Sequence, residues 1–237
     1  MNLFLSTALA ESEAAEAAPS WFETAFGDFS DLTVWGWLLL AALLIGGVVL
    51  YRAVKGKTAQ NIWTTKKLAL GAVCIALSSV LSLVKVLELP QGGSVTAASM
   101  LPIILFAYAY GAGPGLTLGA VYGILQFILK PYFYSLPQML LDYPIAFGAI
   151  GLAGLFSKSK NTYLGLTLGS IVASLGRLLA AVASGVIFFA EYAPEGMSPM
   201  VYSLGYNASY MAPECLICVV LAIAIGPRLM KELRKIK

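Results

Sequence analysis

Four ionisable residues lie inside stretches that are otherwise apolar: Lys85, Asp142, Arg177 and Glu214. A charged side chain is costly in hydrocarbon, so such residues usually pair with one another or line a ligand or ion pathway. Lys85 lies near the end of its stretch and can extend its amine to the membrane surface. Arg177 and Glu214 could pair across two helices. Asp142 has no equally obvious partner, which makes it the leading candidate for contact with a ligand.

Helical spacing places other residues beside these charges. Arg177, Ala181, Gly185 and Phe189 recur every four residues, so they form one stripe along a helix. Asn207, Met211 and Glu214 share a face of the last helix in the same way. One stripe therefore offers small residues and an aromatic ring, and the other offers an amide.

Tyrosines are concentrated in the same half of the predicted bundle. They are Tyr132, Tyr134, Tyr143, Tyr192, Tyr202, Tyr206 and Tyr210. About half of them are expected to be ordinary aromatic residues of the membrane interface. A carboxylate, an amide and several rings in one water-accessible cavity would suit a flat, cationic, hydrogen-bonding heterocycle, because rings attract cations by ~0.5–2 kcal/mol each.

The composition indicates that membrane-spanning helices position these residues. Of 237 residues, 59% are hydrophobic and 11% are charged, whereas a soluble domain has about 25% charged residues. Mean hydropathy is +0.83. At ~20 residues per span, the length allows six or seven membrane helices and leaves no room for a soluble catalytic domain. Because there is no histidine and the three cysteines lie in apolar runs, neither a histidine-ligated metal site nor a disulfide framework is expected.

Other motifs carry little chemistry. Cys215 and Cys218 are spaced as C-x-x-C, but without further ligands they are expected to be packing residues. Ala72 and Ala76 form a small-xxx-small pattern that permits close helix approach, although alanine is frequent in this chain. There is no phosphate-binding loop, since no Lys-Ser/Thr follows the glycine-rich turn at 111–115. No cofactor, metal or nucleic-acid partner is expected.

The hydropathy pattern predicts seven membrane helices. The turn GAGPG separates the third from the fourth, because glycine and proline disfavour a continuing helix. The predicted spans are 35–51, 68–84, 99–110, 115–129, 137–156, 162–190 and 206–228.

Basic residues set the expected orientation, because they are enriched on the cytoplasmic side. Three basic clusters, at 52–67, at 158–160 and at 228–237, fall on one side if there are seven spans. The N-terminus is then outside and the C-terminus inside. Loops around 88–98, 130–137 and 190–205 face outward.

Four segments follow from this orientation. Residues 1–32, with six acidic residues and no Lys or Arg, form an extracellular tail. We prefer this interpretation to a cleaved signal peptide, because the start lacks a basic region and its apolar part is short. Residues 33–63 form an extra transmembrane helix and a basic cytoplasmic linker, 64–230 a six-helix unit, and 231–237 a basic cytoplasmic tail.

Six segments of the six-helix unit resemble the thiamine-specific substrate-binding (S) components of energy-coupling-factor transporters. In order they are 90–96 (PQGGSVT), 140–144 (LLDYP), 146–148 (AFG), 184–189 (SGVIFF), 192–196 (YAPEG) and 202–210 (YSLGYNASY). The resemblance covers about 64–230 and rests on the combination, since no single segment is specific. Residues 1–60 lie outside it.

The resemblance implies a six-helix, all-α membrane protein of the bacterial plasma membrane that captures thiamine from outside and is not an enzyme. It implies docking on a membrane scaffold subunit with two ATPases, through a face that falls on Ala72 and Ala76. It also implies a set of ligand-binding positions. These are Tyr132, Asp142, Tyr143, Gly185, Phe189, Tyr202 and Asn207.

One position departs from the family pattern. Family members tend to carry a histidine where this chain has Ala181, which would weaken binding by ~0.5–1.5 kcal/mol if one hydrogen bond is lost. The ligand could therefore be a thiamine precursor or fragment. Glu195 adds negative charge where the family commonly has a basic residue, which favours a cationic over a phosphorylated ligand.

Three other functions are compatible with parts of the pattern. The chain could be an autonomous ion-coupled carrier that uses Asp142, Arg177 and Glu214 as a relay. An intramembrane enzyme has little support, because the polar set lacks a paired nucleophile and base. A membrane scaffold that binds no small molecule is the remaining alternative.

Overall fold

The computed structural model describes residues 63–235, which form six longer helices, a short 3₁₀ helix at Ala190–Tyr192 and one β-hairpin. The predicted tail, the first predicted span, most of the basic linker and the last two residues lie outside the described residues. The helices are α1 (Thr65–Leu83), α2 (Leu101–Tyr110), α3 (Ala112–Leu129), α4 (Leu136–Phe156), α5 (Thr162–Phe188) and α6 (Pro199–Lys235). Five are long and apolar enough to cross a membrane, and α2 is a shorter apolar helix. The described residues are therefore mostly helical, as a membrane helix bundle should be.

The shortest helix lies at the centre of the bundle. Every residue of α2 up to Ala109 is buried, and eight of the twenty buried residues of the principal core cluster belong to this helix. Gly111 ends the helix with φ 97°, a left-handed conformation that favours glycine, and α3 begins at the next residue. The predicted break at the glycine-rich turn is thus a single residue wide.

The fourth helix is irregular where the candidate ligand residues lie. It is α-helical over Leu136–Leu140, π-helical over Leu141–Ile145 and 3₁₀-helical over Ala149–Phe156. Pro144 lies inside the π-helical turn and cannot donate a backbone hydrogen bond. Such π-helical turns are frequent at functional sites, and this one contains Asp142 and Tyr143.

The last helix is longer than predicted. Its span was expected at 206–228 after an irregular loop, but α6 runs over Pro199–Lys235 and contains Pro213 and Pro227. Ser198 caps the start by accepting from the backbone N–H of Val201 at 3.3 Å, and Pro199 suits a first helical position. The early start brings Tyr202 into the helix.

A β-hairpin follows α1 where the prediction had only an outward loop and all-α structure. Strand β1 (Lys85–Glu88) pairs antiparallel with β2 (Ser94–Thr96). The turn between them contains Gly92 at φ 88°. Short strands with a polar turn carry little hydropathy signal in a chain this apolar, so composition did not reveal them.

Glycines allow α3 and α4 to pack backbone against backbone. A Cβ built on Gly119 would collide with the carbonyl oxygen of Phe147 and would lie 3.1 Å from the Cα of Gly148. Gly123 meets the carbonyl of Tyr143 in the same way. Close approach of this kind is typical of membrane helices, and it fixes the depth of the π-helical turn.

The exposed surface of the helices is apolar, as a lipid-facing surface should be. On α1 only Gly71 and Ser78 are buried. Ala72 and Ala76 both lie on its exposed side, with exposed large side chains such as Leu68 and Leu77 nearby.

Replacing Gly119 by alanine should destabilise the protein by about 1–3 kcal/mol, because the added methyl group meets backbone that cannot give way. The matched control is Gly205→Ala, since Gly205 is also helical but has open space around its Cβ position. That control should be neutral or stabilising by up to ~1 kcal/mol. Thermal unfolding in detergent measures both, and equal melting temperatures for the two variants would contradict the packing described here.

Candidate ligand-binding site

One cavity of about 1050 Å³ opens at the end of the bundle that carries the hairpin. The ends of α3 and α5, the starts of α4 and α6, and the hairpin surround it. All seven residues that the sequence nominated line it: Tyr132, Asp142, Tyr143, Gly185, Phe189, Tyr202 and Asn207. Ala181 lines it as well. The structure thus brings the nominated residues together, while their contact with a ligand stays a prediction.

The Asp142 carboxylate is held by a side chain that sequence analysis missed. The amide nitrogen of Gln138 donates to Asp142 Oδ2 at 2.6 Å. The amide oxygen of Gln138 accepts from the backbone N–H of Tyr134 at 3.0 Å, so the amide group must point its NH₂ towards the carboxylate. Gln138 is fully buried. Gln138 precedes Asp142 by four residues, a spacing that places both on one helix face and could have indicated the contact. A neutral polar residue is common enough in an apolar stretch that it was not selected as a candidate.

Tyr143 fixes the loop that brings Tyr132 to the cavity. Its hydroxyl donates to the carbonyl of Lys130 and accepts from the backbone N–H of Tyr132, both at 3.1 Å. Its ring packs edge-on against Phe127, with centroids 5.1 Å apart. Tyr143 therefore orders the rim of the cavity in addition to lining it.

Aromatic rings surround Phe189 at the cavity mouth. Its ring centroid lies 5.8 Å from those of Tyr132 and Tyr134, and 6.1 Å from that of Tyr192. The three tyrosines are about half exposed. Such a wall can attract a cationic ring by electrostatic contact with the aromatic faces.

The amide of Asn207 belongs to a hydrogen-bonded cluster on α6. Its Nδ2 donates to the Ser203 carbonyl at 2.9 Å, and its Oδ1 accepts from the Tyr210 hydroxyl at 2.6 Å. Ser203 Oγ donates to the carbonyl of Val182, which ties α6 to α5. A Cβ on Gly185 would collide with Ser203 Oγ, so only glycine fits there. Ser203 was not nominated from the sequence.

The tip of the hairpin rests on tyrosines of α6. Gln91 donates to the hydroxyl of Tyr202 at 3.2 Å, and the backbone N–H of Gly93 donates to that of Tyr206 at 3.0 Å. The Tyr202 and Tyr206 rings are stacked, with centroids 6.4 Å apart. The hairpin therefore forms one wall of the cavity.

The expected pairing of Arg177 with Glu214 is wrong, since no ion pair joins them. Glu214 is buried and accepts from the backbone N–H of Thr96 at 2.5 Å and from its hydroxyl at 2.7 Å. The Arg177 guanidinium lies 4.2 Å from the ring centroid of Phe147. The partner of Glu214 is Thr96 in strand β2, which the hydropathy pattern did not predict. The prediction therefore paired Glu214 with Arg177 instead.

Two lysines share one carboxylate at the rim. Glu88 Oε1 lies 2.5 Å from Lys85 Nζ and 3.0 Å from Lys130 Nζ. The hydrogen bond with Lys85 lowers the pKa of Glu88, and that with Glu88 raises the pKa of Lys85. Both groups are charged at neutral pH, and the contribution of Glu88 is lost as pH falls through its lowered pKa. Lys85 thus lies beyond α1, as its position near the end of the span suggested.

Comparison with known proteins agrees with this architecture. Residues 68–233 match the family described as thiamine transporter protein (Thia_YuaJ). This chain belongs to that family. A thiamine transporter ThiT from Bacillus subtilis is 39% identical over 177 residues, which cover 68% of this chain and 92% of the relative. ThiT from Lacticaseibacillus paracasei is 29% identical over 147 residues, which cover 55% and 73%.

A solved structure of ThiT from Listeria monocytogenes shares the fold with a TM-score of 0.63. It is 22% identical in sequence, and the match covers 69% of this chain and 96% of that one. The resemblance found from sequence segments is therefore confirmed. The protein is a multi-pass protein of the bacterial plasma membrane, as the thiamine transporter family and the apolar helices both indicate.

The relatives matched are transporters by name. Within residues 63–235 no group of three or more Cys, Asp or Glu side chains could hold a metal ion. The polar groups that line the cavity are three carboxylates (Glu88, Asp142 and Glu214), three basic groups (Lys85, Lys130 and Arg177), and several amides and hydroxyls, beside aromatic rings.

Thr96→Val should loosen the hairpin from α6, because it removes the hydroxyl that bonds to the buried Glu214 carboxylate and, within the same segment, to Ser99. Hydrogen bonds to charged groups contribute ~1.5–3 kcal/mol, so the melting temperature should fall by several degrees. Thr117→Val is the control, because its hydroxyl only bonds back to the Gly113 carbonyl on an exposed helix face. An unchanged melting temperature for Thr96→Val would show that Glu214 does not anchor the strand.

Proposed function

We propose that this protein captures thiamine outside the cell as the substrate-binding component of an energy-coupling-factor importer. The observation that carries the proposal is the Asp142 carboxylate, which Gln138 holds in a cavity walled by aromatic rings. Family membership and the ThiT relatives support thiamine as the ligand.

The chemistry of the cavity fits the chemistry of thiamine. Thiamine joins a cationic thiazolium ring to an aminopyrimidine, so it offers positive charge, flat faces and hydrogen-bonding edges. Asp142 supplies the compensating charge, and Gln138 holds its Oδ2. Phe189, with the tyrosines around it, supplies ring faces for the cation.

Binding, and not catalysis, is the proposed activity. Three charged groups of the cavity are already held by their own partners: Asp142 by Gln138, Glu214 by Thr96, and Arg177 by the Phe147 ring. This arrangement favours a preformed binding site over a relay of protons or ions, in which the three groups would contact one another.

The proposed partner is the membrane scaffold of the importer, which works with two ATPase subunits. The exposed side of α1 that contains Ala72 and Ala76 is the proposed docking face, because small residues allow another helix to approach closely. The outward orientation of the hairpin end and the assignments of residues 1–63 and 231–237 remain part of this proposal.

Asp142→Asn should weaken thiamine binding by ~10–100-fold, because it removes the charge of the acceptor while keeping its shape. Titration of the purified protein, followed by calorimetry or intrinsic fluorescence, measures the effect. Glu191→Gln is the matched control, since Glu191 is an exposed carboxylate outside the cavity lining. If both variants bind like the wild type, Asp142 is not a ligand residue.

The same titration identifies the ligand. Thiamine, thiamine phosphates and the isolated pyrimidine fragment should be compared, with thiamine expected to bind most tightly. Tighter binding of the fragment would assign the protein to a thiamine precursor.

Replacing Ala72 and Ala76 by tryptophan should abolish assembly with the scaffold and leave thiamine binding unchanged, since both side chains lie away from the cavity. Leu77→Trp is the control, because Leu77 is exposed on the same helix but lies about 100° around the axis from Ala76. Co-purification with the scaffold and ATPases measures assembly. Thiamine uptake by cells that lack the module would instead favour an autonomous carrier.

A further inference from the structure

A second cavity, of about 750 Å³, lies at the end of the bundle opposite the ligand cavity. The start of α5 and residues 227–231 of α6 line it, whereas the ligand cavity lies between the end of α5 and the start of α6. The length of α5, about 40 Å for its 27 residues, therefore separates the two cavities. We call the second cavity the basic pocket, after the lining residues Lys160, Arg228 and Lys231.

The charges of the basic pocket are all of one sign. Lys160, Arg228 and Lys231 are exposed, and no acidic residue lines the pocket beside them. Within residues 63–235 none of the three forms an ion pair. Glu232 follows Lys231 on α6 but does not belong to the lining. Three positive charges around one concave surface create a positive potential that favours the entry of an anion.

The start of α5 adds to this potential. Asn161 caps the helix, because its side chain accepts from the backbone N–H of Leu164 at 3.1 Å. Thr162 and Tyr163 also line the pocket, and their backbone N–H groups lie in the first turn, where the helix itself offers no acceptor. The first turn contains no acidic side chain. The positive end of the helix dipole therefore lies beside the three cations without a compensating carboxylate.

Close packing between α5 and α6 begins directly above the basic pocket. A Cβ built on Gly226 would lie 2.6 Å from Cδ1 of Leu166, so the two helices approach closely at this level. Leu166 and Met230 are both buried, and Met230 lines the pocket. The pocket is thus a cleft between two helix ends with an apolar inner side.

Exposed apolar side chains lie next to the basic pocket. Leu164 on α5 and Leu229 on α6 are neighbours of lining residues in the sequence, and they are 54% and 39% exposed. Ile223 is also exposed and precedes the lining residue Pro227 by four residues, which places both on one face of α6. The positive pocket is therefore continuous with a surface that suits hydrocarbon.

We propose that the basic pocket binds the phosphate headgroup of an anionic phospholipid, whose acyl chains lie along the apolar side chains beside it. A free phosphate would meet the same charges but would leave the apolar surface unused, whereas a phospholipid uses both. The basic loops predict that this end faces the cytoplasm, where anionic lipids give the membrane surface its negative potential. The proposal does not depend on which ligand occupies the other cavity.

Lipid titration of the full chain in detergent tests the proposal. Phosphatidylglycerol, phosphatidylcholine and inorganic phosphate are added separately, the melting temperature is recorded, and native mass spectrometry measures the affinity of each lipid. Phosphatidylglycerol should bind most tightly and raise the melting temperature by several degrees, because a ligand of the folded state stabilises it. Phosphatidylcholine, which has no net charge, and inorganic phosphate, which has no acyl chains, should each have a smaller effect.

The double variant Arg228→Gln, Lys231→Gln locates the lipid. It should bind phosphatidylglycerol about 25-fold more weakly than the wild type, at roughly fivefold for each basic residue removed. The matched control is Lys66→Gln, Lys158→Gln, which removes the same charge from exposed positions outside the pocket. The control should stay within about twofold of the wild type, because salt screens exposed charges at a distance. All four side chains are exposed, so neither variant should change the melting temperature without lipid.

Four results would overturn the proposal. Equal affinity of the wild type for the two lipids would exclude recognition of the anionic headgroup. Equal losses in the two double variants would show a general attraction to basic surface in place of a pocket. Binding of inorganic phosphate as tight as that of phosphatidylglycerol would make the pocket a site for free anions. Unchanged lipid affinity in Arg228→Gln, Lys231→Gln, together with lost co-purification of the scaffold and ATPases, would assign the pocket to an acidic protein partner.

Discussion

The hydrogen bond between Gln138 and Asp142 is the interaction on which the binding end of the bundle depends. A carboxylate cannot remain in an apolar helix bundle unless its charge is compensated. Gln138 provides part of this compensation, and its own amide is oriented by the backbone of Tyr134. One oxygen of the carboxylate is thereby committed to the protein. The same bond fixes the start of α4, from which the aromatic rim is built.

Close packing between helices fixes the position of Asp142 relative to the rest of the bundle. The π-helical turn that contains Asp142 is pressed against α3 through Gly119 and Gly123, where any side chain would meet backbone. On the opposite wall, Gly185 admits Ser203 and so brings α6 against α5. Glycine thus serves here to let helices touch. The α3–α4 wall of the cavity keeps its shape because it rests on contacts with backbone atoms, which cannot adjust as side chains do.

Many features of the fold followed from simple rules. The boundaries of α2 and α5 were predicted within two residues because apolar runs and glycine breaks are strong local signals. The hairpin and the early start of α6 were not predicted. Both are short polar segments whose structure depends on contacts with distant residues, such as Thr96 with Glu214 and Gly93 with Tyr206. Local hydropathy contains no information about such contacts.

The sequence by itself determined that the chain is a membrane helix bundle, which family it resembles, and which carboxylate is the exceptional one, because an acid in an apolar stretch is costly wherever the helix packs. Only the tertiary structure decided how the charges are partnered. Arg177 and Glu214 are close enough in pattern to suggest a pair, yet Glu214 bonds to a strand and Arg177 lies over an aromatic ring. Gln138 gained its role in the same way, since a neutral side chain matters only through the partner it meets.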